Sequence, residues 1–123
     1  MRVHLDTHVL LWWYFEPSRL QSCTAILKNR ENVVLVSDAV IWELVLKSSI
    51  GKLKLPKNFF NEMEKDFDIL PITTKHIYKI SDLKLIHRDP FDRILIAQSL
   101  EENIPLISAD RQISKYKLQI IHP

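Results

Sequence analysis

The sequence is poor in the residues that build two common kinds of site. It has 123 residues but only one cysteine, Cys23, and one glycine, Gly51. One cysteine cannot form an intramolecular disulfide or a thiolate metal cluster, so packing must stabilise the fold. One glycine cannot form a glycine-rich loop that cradles phosphates. Because 17 Lys and Arg face 15 Asp and Glu, the formal charge of +2 is too small to specify a partner.

Long apolar runs are also missing. The longest, Val9 to Phe15, is far shorter than the ~18 residues that a membrane-spanning helix needs. Asp6 places a carboxylate where the apolar stretch of a secretory signal would begin. We therefore expect a cytoplasmic protein that binds no membrane. The composition, 46% hydrophobic and 26% charged, is typical of a globular protein, and we expect one domain over residues 1–123.

Strand-like and helix-like segments alternate along the chain. The predicted strands are 3–5, 33–36, 69–72, 105–108 and 118–121, and the predicted helices are 7–15, 18–30, 38–50, 58–67, 74–85 and 90–103. The strand over 33–36 is apolar at every position, which favours a parallel sheet covered on both faces. The alternation predicts an α/β fold, a three-layer sandwich of helices around a mainly parallel sheet.

Two carboxylates follow predicted strands. Asp6 comes directly after the first strand, and Asp110 comes shortly after the fourth. In an open α/β sheet, ligands bind beyond the carboxyl ends of the strands, so both residues are candidates for a site. The alternative is a role as turn or cap residues, which Asp fills often.

Two more carboxylates lie on apolar helix faces. Glu43 shares a face with Leu46 and Ile50, and Asp92 precedes apolar residues three and four positions on. A buried charge is costly unless it is paired or binds a metal. For Glu43 the alternative is a surface ion pair with Lys47.

Four carboxylates that converge would repel one another unless a divalent cation lay between them. Oxygen ligands suit Mg²⁺ or Mn²⁺. Such a cation lowers the pKa of a bound water and neutralises charge on a phosphodiester, which favours hydrolysis. Asp89, by contrast, is explained as the N-cap of a helix that has Pro90 at its first position.

These residues resemble the motifs of PIN-domain nucleases, most closely the VapC-like toxins of toxin-antitoxin pairs. The matching segments, in order, are Leu5-Asp6-Thr7-His8, Trp42-Glu43, His87-Arg88-Asp89-Pro90-Phe91-Asp92-Arg93 with the following residues to Gln98, and Ser108-Ala109-Asp110. The resemblance covers essentially the whole chain, and its most specific part is residues 87–98. Ile113 departs from it, because many relatives have an aromatic residue there.

The resemblance implies an endoribonuclease that depends on Mg²⁺ or Mn²⁺, usually a homodimer, which a cognate antitoxin holds inactive. It assigns catalysis and metal binding to Asp6, Glu43, Asp92 and Asp110. Asp6 and Asp92 are the expected direct ligands, whereas Glu43 and Asp110 act through water. Asp89 and Ser108 are possible accessory residues.

Other features have more ordinary explanations. His4, His8 and His87 lack the paired spacing of a zinc site, and a surface position at the helix entry is favoured for His87. The run from Trp12 to Tyr14 is expected to contact the core and a dimer interface, with stacking on RNA bases as the alternative. Several cations adjoin the acids and predict either a basic rim for RNA or an ordinary solvated surface: Lys47, Lys52, Lys54, Lys57, Arg88, Arg93 and Arg111.

Two other classes of function compete with a nuclease. A catalytically silent module of the same fold would bind RNA or a protein, but it has no chemical need for carboxylates on apolar faces. A phosphatase or a phosphoacceptor domain would need a second acid close to Asp6, and the residue two positions on is His8. Neither class explains residues 87–98.

Overall fold

The computed structural model describes residues 1–123, and its helices and strands alternate as predicted. The strands are β1 (Arg2–Leu5), β2 (Val33–Ser37), β3 (Asp68–Leu70), β4 (Leu106–Ile107) and β5 (Ile120–Ile121). The helices are α1 (Thr7–Phe15), α2 (Thr24–Lys28), α3 (Asp38–Ser49), α4 (Phe59–Asp66), α5 (Thr74–Lys79) and α6 (Pro90–Glu102). Short 3₁₀ turns cover Pro17–Leu20, Ile80–Asp82 and Ile113–Lys115. None of the helices is both long and apolar enough to cross a membrane.

The five strands form one sheet in the order β3-β2-β1-β4-β5, and every neighbouring pair is parallel. This confirms the predicted α/β class, with a sheet that is wholly rather than mainly parallel. Strand β1 lies in the centre, between β2 and β4. The residues that follow β1 and β4 therefore emerge side by side at one edge of the sheet.

Both faces of the sheet are covered. In β2, Val34 and Val36 belong to the main apolar core, while Leu35, on the opposite face, packs with Leu70 and Ile104. All three residues of this β2 segment are buried, as their continuously apolar sequence predicted. The layers thus arise from strands whose side chains are mostly buried on both faces of the sheet.

Helix α6 lies against the face that carries His4, Leu35 and Ser37. Gln98 Oε1 accepts a hydrogen bond of 2.6 Å from Ser37 Oγ, and Ser99 Oγ lies 2.5 Å from His4 Nε2. All four of these polar side chains are buried. They fix the rotation of α6 on the sheet and thereby fix where its first turn points.

Two predicted helices are shorter than the sequence pattern indicated. The predicted helix 18–30 is divided, because the Leu20 carbonyl accepts from the Cys23 amide and the Thr24 hydroxyl, which tightens the chain into a turn. The predicted helix 74–85 ends at Lys79 and a 3₁₀ turn. The Arg93 guanidinium donates to the Ile80 carbonyl in that turn and to the Lys84 carbonyl beyond it, so these carbonyls are directed toward Arg93 rather than along a helix.

Candidate metal centre

Asp6 and Asp110 come together because β1 and β4 are neighbours. The Asp6 amide donates to Ile107 at the end of β4, at 3.1 Å, so the two chain segments leave the sheet together. Asp6 is also the N-cap of α1, where its Oδ1 accepts from the Val9 amide at 2.9 Å. The predicted alternative, a cap role for Asp6, is therefore confirmed. The cap uses Oδ1, so Oδ2 of Asp6 remains available for other partners.

The first turn of α6 brings Asp92 to the same edge. Asp89 caps this helix, since its Oδ1 accepts from the amides of Phe91 and Asp92 at 2.8 and 3.2 Å. Pro90 occupies the first helical position, where a missing amide costs nothing. The sequence thus fixes where α6 begins, and this start fixes the position of Asp92.

His87 joins the acids that come from distant parts of the chain. Its Nε2 lies 3.0 Å from Asp92 Oδ2 and 2.9 Å from Asp110 Oδ2. Its Nδ1 accepts from the Asp89 amide at 3.2 Å, which leaves Nε2 to carry the proton that the carboxylates accept. The favoured prediction of a surface position for His87 is wrong, because its side chain is only 14% exposed and lies inside the acidic cluster.

Electrostatics sets Asp92 apart from an ordinary carboxylate. Burial, together with repulsion from Asp89, Asp110 and Asp6, raises the pKa of Asp92 to about 7, although His87 opposes the shift. An acid that binds a proton near neutral pH lacks a sufficient positive partner. The surroundings of Asp92 therefore favour a cation that the protein itself does not supply.

Ser108 lies between Asp6 and Asp110. Burial raises the pKa of Asp6, although hydrogen bonds from Ser108 and the Val9 amide oppose the shift. Burial would also raise the pKa of Asp110, but hydrogen bonds from His87 and the Gln112 amide lower it below its ordinary value. The fully buried Ser108 Oγ accepts from the Asp110 amide at 3.0 Å, so this hydroxyl shapes the Asp110 turn.

Glu43 stands apart from this cluster. It is only 7% exposed, and its Oε1 accepts a hydrogen bond from the Thr7 hydroxyl at 2.5 Å. Its Oε2 accepts from Lys47 Nζ at 2.7 Å. Both predictions for Glu43 are therefore partly correct, because its carboxylate is buried and also pairs with Lys47. It reaches the cluster through Thr7, the neighbour of Asp6.

The cations near the acids are not all available to a ligand. Lys47 is bound to Glu43. The Arg93 guanidinium donates to the carbonyls of Ile80, Lys84 and His87, so it clamps the 80–87 loop onto α6. These two residues therefore contribute structure to the site rather than a free basic rim.

The aromatic run of α1 is divided between two surroundings. Trp13 and Tyr14 pack edge-on against Phe67, which places them against the core. Trp12 also packs against the core, and its ring lies beside His8 and Arg19. The core contact that was predicted for the run is thus confirmed for all three residues.

The donor set fits a divalent cation. The ligand atoms of His87, Asp92 and Asp110 all lie within 4.8 Å of one another. Asp6 adds a third carboxylate that interacts electrostatically with Asp92 and Asp110. Three carboxylates with one imidazole leave surplus negative charge, and carboxylate oxygens are the ligands that Mg²⁺ and Mn²⁺ prefer.

Comparison with protein families gives one match that spans nearly the whole chain. Residues 3–118 match the family model of the PIN domain. No curated protein sequence matches the chain.

Solved structures of low sequence identity share the fold. Three are the VapBC2 complex from Rickettsia felis bound to a DNA fragment from its promoter, VapBC-1 from nontypeable Haemophilus influenzae, and a toxin-antitoxin complex from Klebsiella pneumoniae. Their TM-scores are 0.75, 0.73 and 0.70, at 16%, 15% and 13% identity. The alignments cover 99%, 99% and 97% of this chain and 98%, 98% and 95% of the matched chains.

Proposed function

Because the chain belongs to the PIN domain family, we propose that it is an endoribonuclease that hydrolyses RNA phosphodiester bonds with the help of Mg²⁺ or Mn²⁺. The observation that carries the proposal is the surplus of negative charge at the edge of the sheet. Asp6, Asp92 and Asp110 meet there around one imidazole, that of His87, and burial together with repulsion from the neighbouring acids raises the pKa of Asp92. Glu43, by contrast, forms an ion pair with Lys47.

A bound divalent cation would activate a water for attack and neutralise charge on the phosphate. In this proposal Asp6, Asp92 and Asp110 bind the cation. His87 orients Asp92 and Asp110 through its Nε2, as the outer partners of metal ligands do. Glu43 acts farther from the cation, because its oxygens already accept from Thr7 and Lys47.

Cleavage of a pool of single-stranded RNA tests this function. Purified protein is incubated with RNA and Mg²⁺ or Mn²⁺, with EDTA, and with single-stranded DNA in place of RNA. We expect cleavage of RNA that requires the cation. The rate of cleavage should fall about a thousandfold in Asp6→Asn and in Asp92→Asn, because each variant loses a negative charge that binds the cation.

Asp68→Asn is the matched control. Asp68 is exposed and begins β3 at the opposite edge of the sheet, so the same change of charge there should leave cleavage intact. Folded wild-type protein that cleaves no RNA with either cation would contradict the proposal, and the silent binding module would then be favoured.

We also propose that the nuclease is the toxin of a toxin-antitoxin pair. The similar folds come from complexes of that kind, and the sequence motifs resemble VapC-like toxins. Expression in a bacterium should arrest growth in the wild type but not in Asp92→Asn. Growth that continues despite abundant folded wild-type protein would contradict this part of the proposal.

A homodimer completes the proposal. Helix α3 and its C-cap residue together expose four apolar side chains by 42 to 59% along one side: Trp42, Val45, Leu46 and Ile50. We propose that this side of α3 contacts a second copy. Val45→Glu should shift the mass measured by light scattering from dimer to monomer, whereas Leu85→Glu, at another exposed apolar position, should not. A wild-type monomer would contradict the dimer.

A further inference from the structure

A cavity of about 390 Å³ opens beside the acids. Several of the residues that line it do not belong to the acidic cluster described above. Asp6 and Asp110 line it together with His8, Trp12 and Arg19. Arg19 is the one Lys or Arg among the lining residues. A polyanion that approached Asp6 through this cavity would meet a guanidinium as well as the carboxylates.

Arg19 is held in place rather than free on the surface. Its guanidinium carbon lies 4.9 Å from the centre of the Trp12 ring, and its Nε lies 2.6 Å from Glu16 Oε2. Its backbone belongs to the 3₁₀ turn Pro17–Leu20, which the fully buried Leu20 anchors in the core. The side chain is nevertheless 57% exposed, so its outer end is accessible.

The terminal nitrogens of Arg19 donate to no protein acceptor, because its one ion pair is made through Nε. Arg93 shows the opposite case, since its Nη groups donate to three backbone carbonyls. A guanidinium that is fixed on an indole ring while two donor groups stay free is suited to a phosphate, whose oxygens accept from both.

The rings beside Arg19 add a surface for a nucleotide. His8 and Trp12 are one turn apart on α1, with ring centroids 6.2 Å apart and planes tilted by 47°. Trp12 does not join Trp13 and Tyr14 in packing on Phe67. Aromatic rings beside a cation that stacks on one of them commonly form a binding surface for single-stranded RNA.

We propose that Arg19, held on Trp12, binds an RNA phosphate next to the scissile one, and that this cavity is a substrate subsite. The inference rests on the proposed function and deepens it. The occupant is the backbone of single-stranded RNA, because the free donors of Arg19 recognise a phosphate and not a base sequence.

Binding of a fluorescein-labelled single-stranded RNA tests the subsite. Affinity is measured by anisotropy over a range of salt concentrations in Asp92→Asn protein, with Mg²⁺ present. In that background Arg19→Gln should weaken binding about fivefold or more, and the slope of log affinity against log salt should fall by about 0.7 for the one lost phosphate contact. Arg19→Lys should keep the slope but lose affinity.

Arg30→Gln is the matched control, because it removes the same charge from an exposed loop ahead of β2, at the opposite edge of the sheet. In otherwise wild-type protein, Arg19→Gln should raise KM for RNA with little change in kcat. Trp12→Ala should reproduce the effect, whereas Trp12→Phe, which keeps a ring under the guanidinium, should not. Thermal unfolding of each variant establishes that it is folded.

The outcomes separate this subsite from the nuclease activity. Equal affinities and salt slopes in Arg19→Gln and Arg30→Gln would overturn the subsite, even if the wild type cleaves RNA. An Arg19-dependent slope without cleavage by the wild type would support the subsite and contradict the nuclease. RNA that binds no variant at all would overturn the subsite.

Discussion

Helix α6 buries two groups of polar side chains, and the group in the middle of the helix is neutral. Gln98 accepts from Ser37, and Ser99 lies against His4. Burial, with repulsion from His76, lowers the pKa of His4 to about 3, so its imidazole is neutral at physiological pH. Their hydrogen bonds place α6 on the sheet, and of their buried polar atoms only His4 Nδ1 lacks a partner.

The group at the first turn of the same helix is charged and unbalanced. Asp92 lies near Asp89, Asp6 and Asp110, and His87 is the one basic side chain between them. Both groups are polar sets on one helix, yet the first is neutral, with only His4 Nδ1 left without a partner, whereas the second carries unbalanced charge. The comparison teaches that unbalanced charge, rather than buried polarity, distinguishes a site from a structural contact in this fold.

A charge placed in the neutral group of α6 should have the largest effect of the changes considered, and the effect should be on stability. The hydrogen-bond partners of Gln98 are Ser37, the Pro71 carbonyl and the His76 ring, so Gln98→Glu places a carboxylate where no Lys or Arg contacts it, and the free energy of unfolding should fall by about 3 kcal/mol at pH 8. The loss should be smaller at pH 5, where the new acid stays protonated. Urea unfolding measures both values. Gln119→Glu makes the same change at an exposed position and should cost little, so equal losses in the two variants would refute the argument.

Removing the bridging imidazole should loosen the charged group. His87→Ala frees Asp92 and Asp110 to move apart, and we expect RNA cleavage to fall about 10- to 100-fold and cation affinity to fall with it. Cleavage kinetics and cation titration provide the measurements. His122→Ala, at an exposed site, should change neither. Unchanged cleavage in His87→Ala would mean that the bridge has no role in the reaction.

The neutrality of His4 predicts an acid-sensitive fold. Its native pKa lies below its value of about 6.5 in the unfolded chain, so the unfolded state binds the proton first and stability falls as pH falls below 6.5. Between pH 7 and pH 5 this costs about 2 kcal/mol. His4→Gln should lack that part of the dependence in urea unfolding. Parallel pH profiles for the two proteins would show that His4 does not titrate on unfolding.

The smallest expected effect is a gain of stability. Asp92 has a native pKa of about 7, above its unfolded value, so the native state binds its proton more tightly and wild type loses stability as pH rises from about 4 to 7. Asp92→Asn removes this cost and, after allowance for solvent screening, should stabilise metal-free protein by about 1 kcal/mol at pH 8 and by nothing near pH 4. A destabilised variant at pH 8 would show that Asp92 is already balanced.

The sequence predicts most of the fold because its strands are mainly apolar and most of its helices begin at recognisable caps. Asp6 and Asp110 were predictable as neighbours, since parallel strands end at one edge. The position of His87 was not, because it depends on a loop that brings its ring to Asp110, 23 residues away. Glu43 was predicted as a member of the quartet, but its hydrogen bonds to Thr7 and Lys47 depend on side-chain packing that periodicity does not specify.

The most direct test of the unbalanced cluster is binding of Mn²⁺ to metal-free protein, followed by the loss of the free-ion signal in electron paramagnetic resonance. The account predicts that wild type and Asp68→Asn bind the cation alike, and that Asp6→Asn and Asp92→Asn bind it at least about tenfold more weakly. Equal affinity in wild type and Asp92→Asn would contradict the account, because the surplus charge at the edge of the sheet would then have no cation to bind.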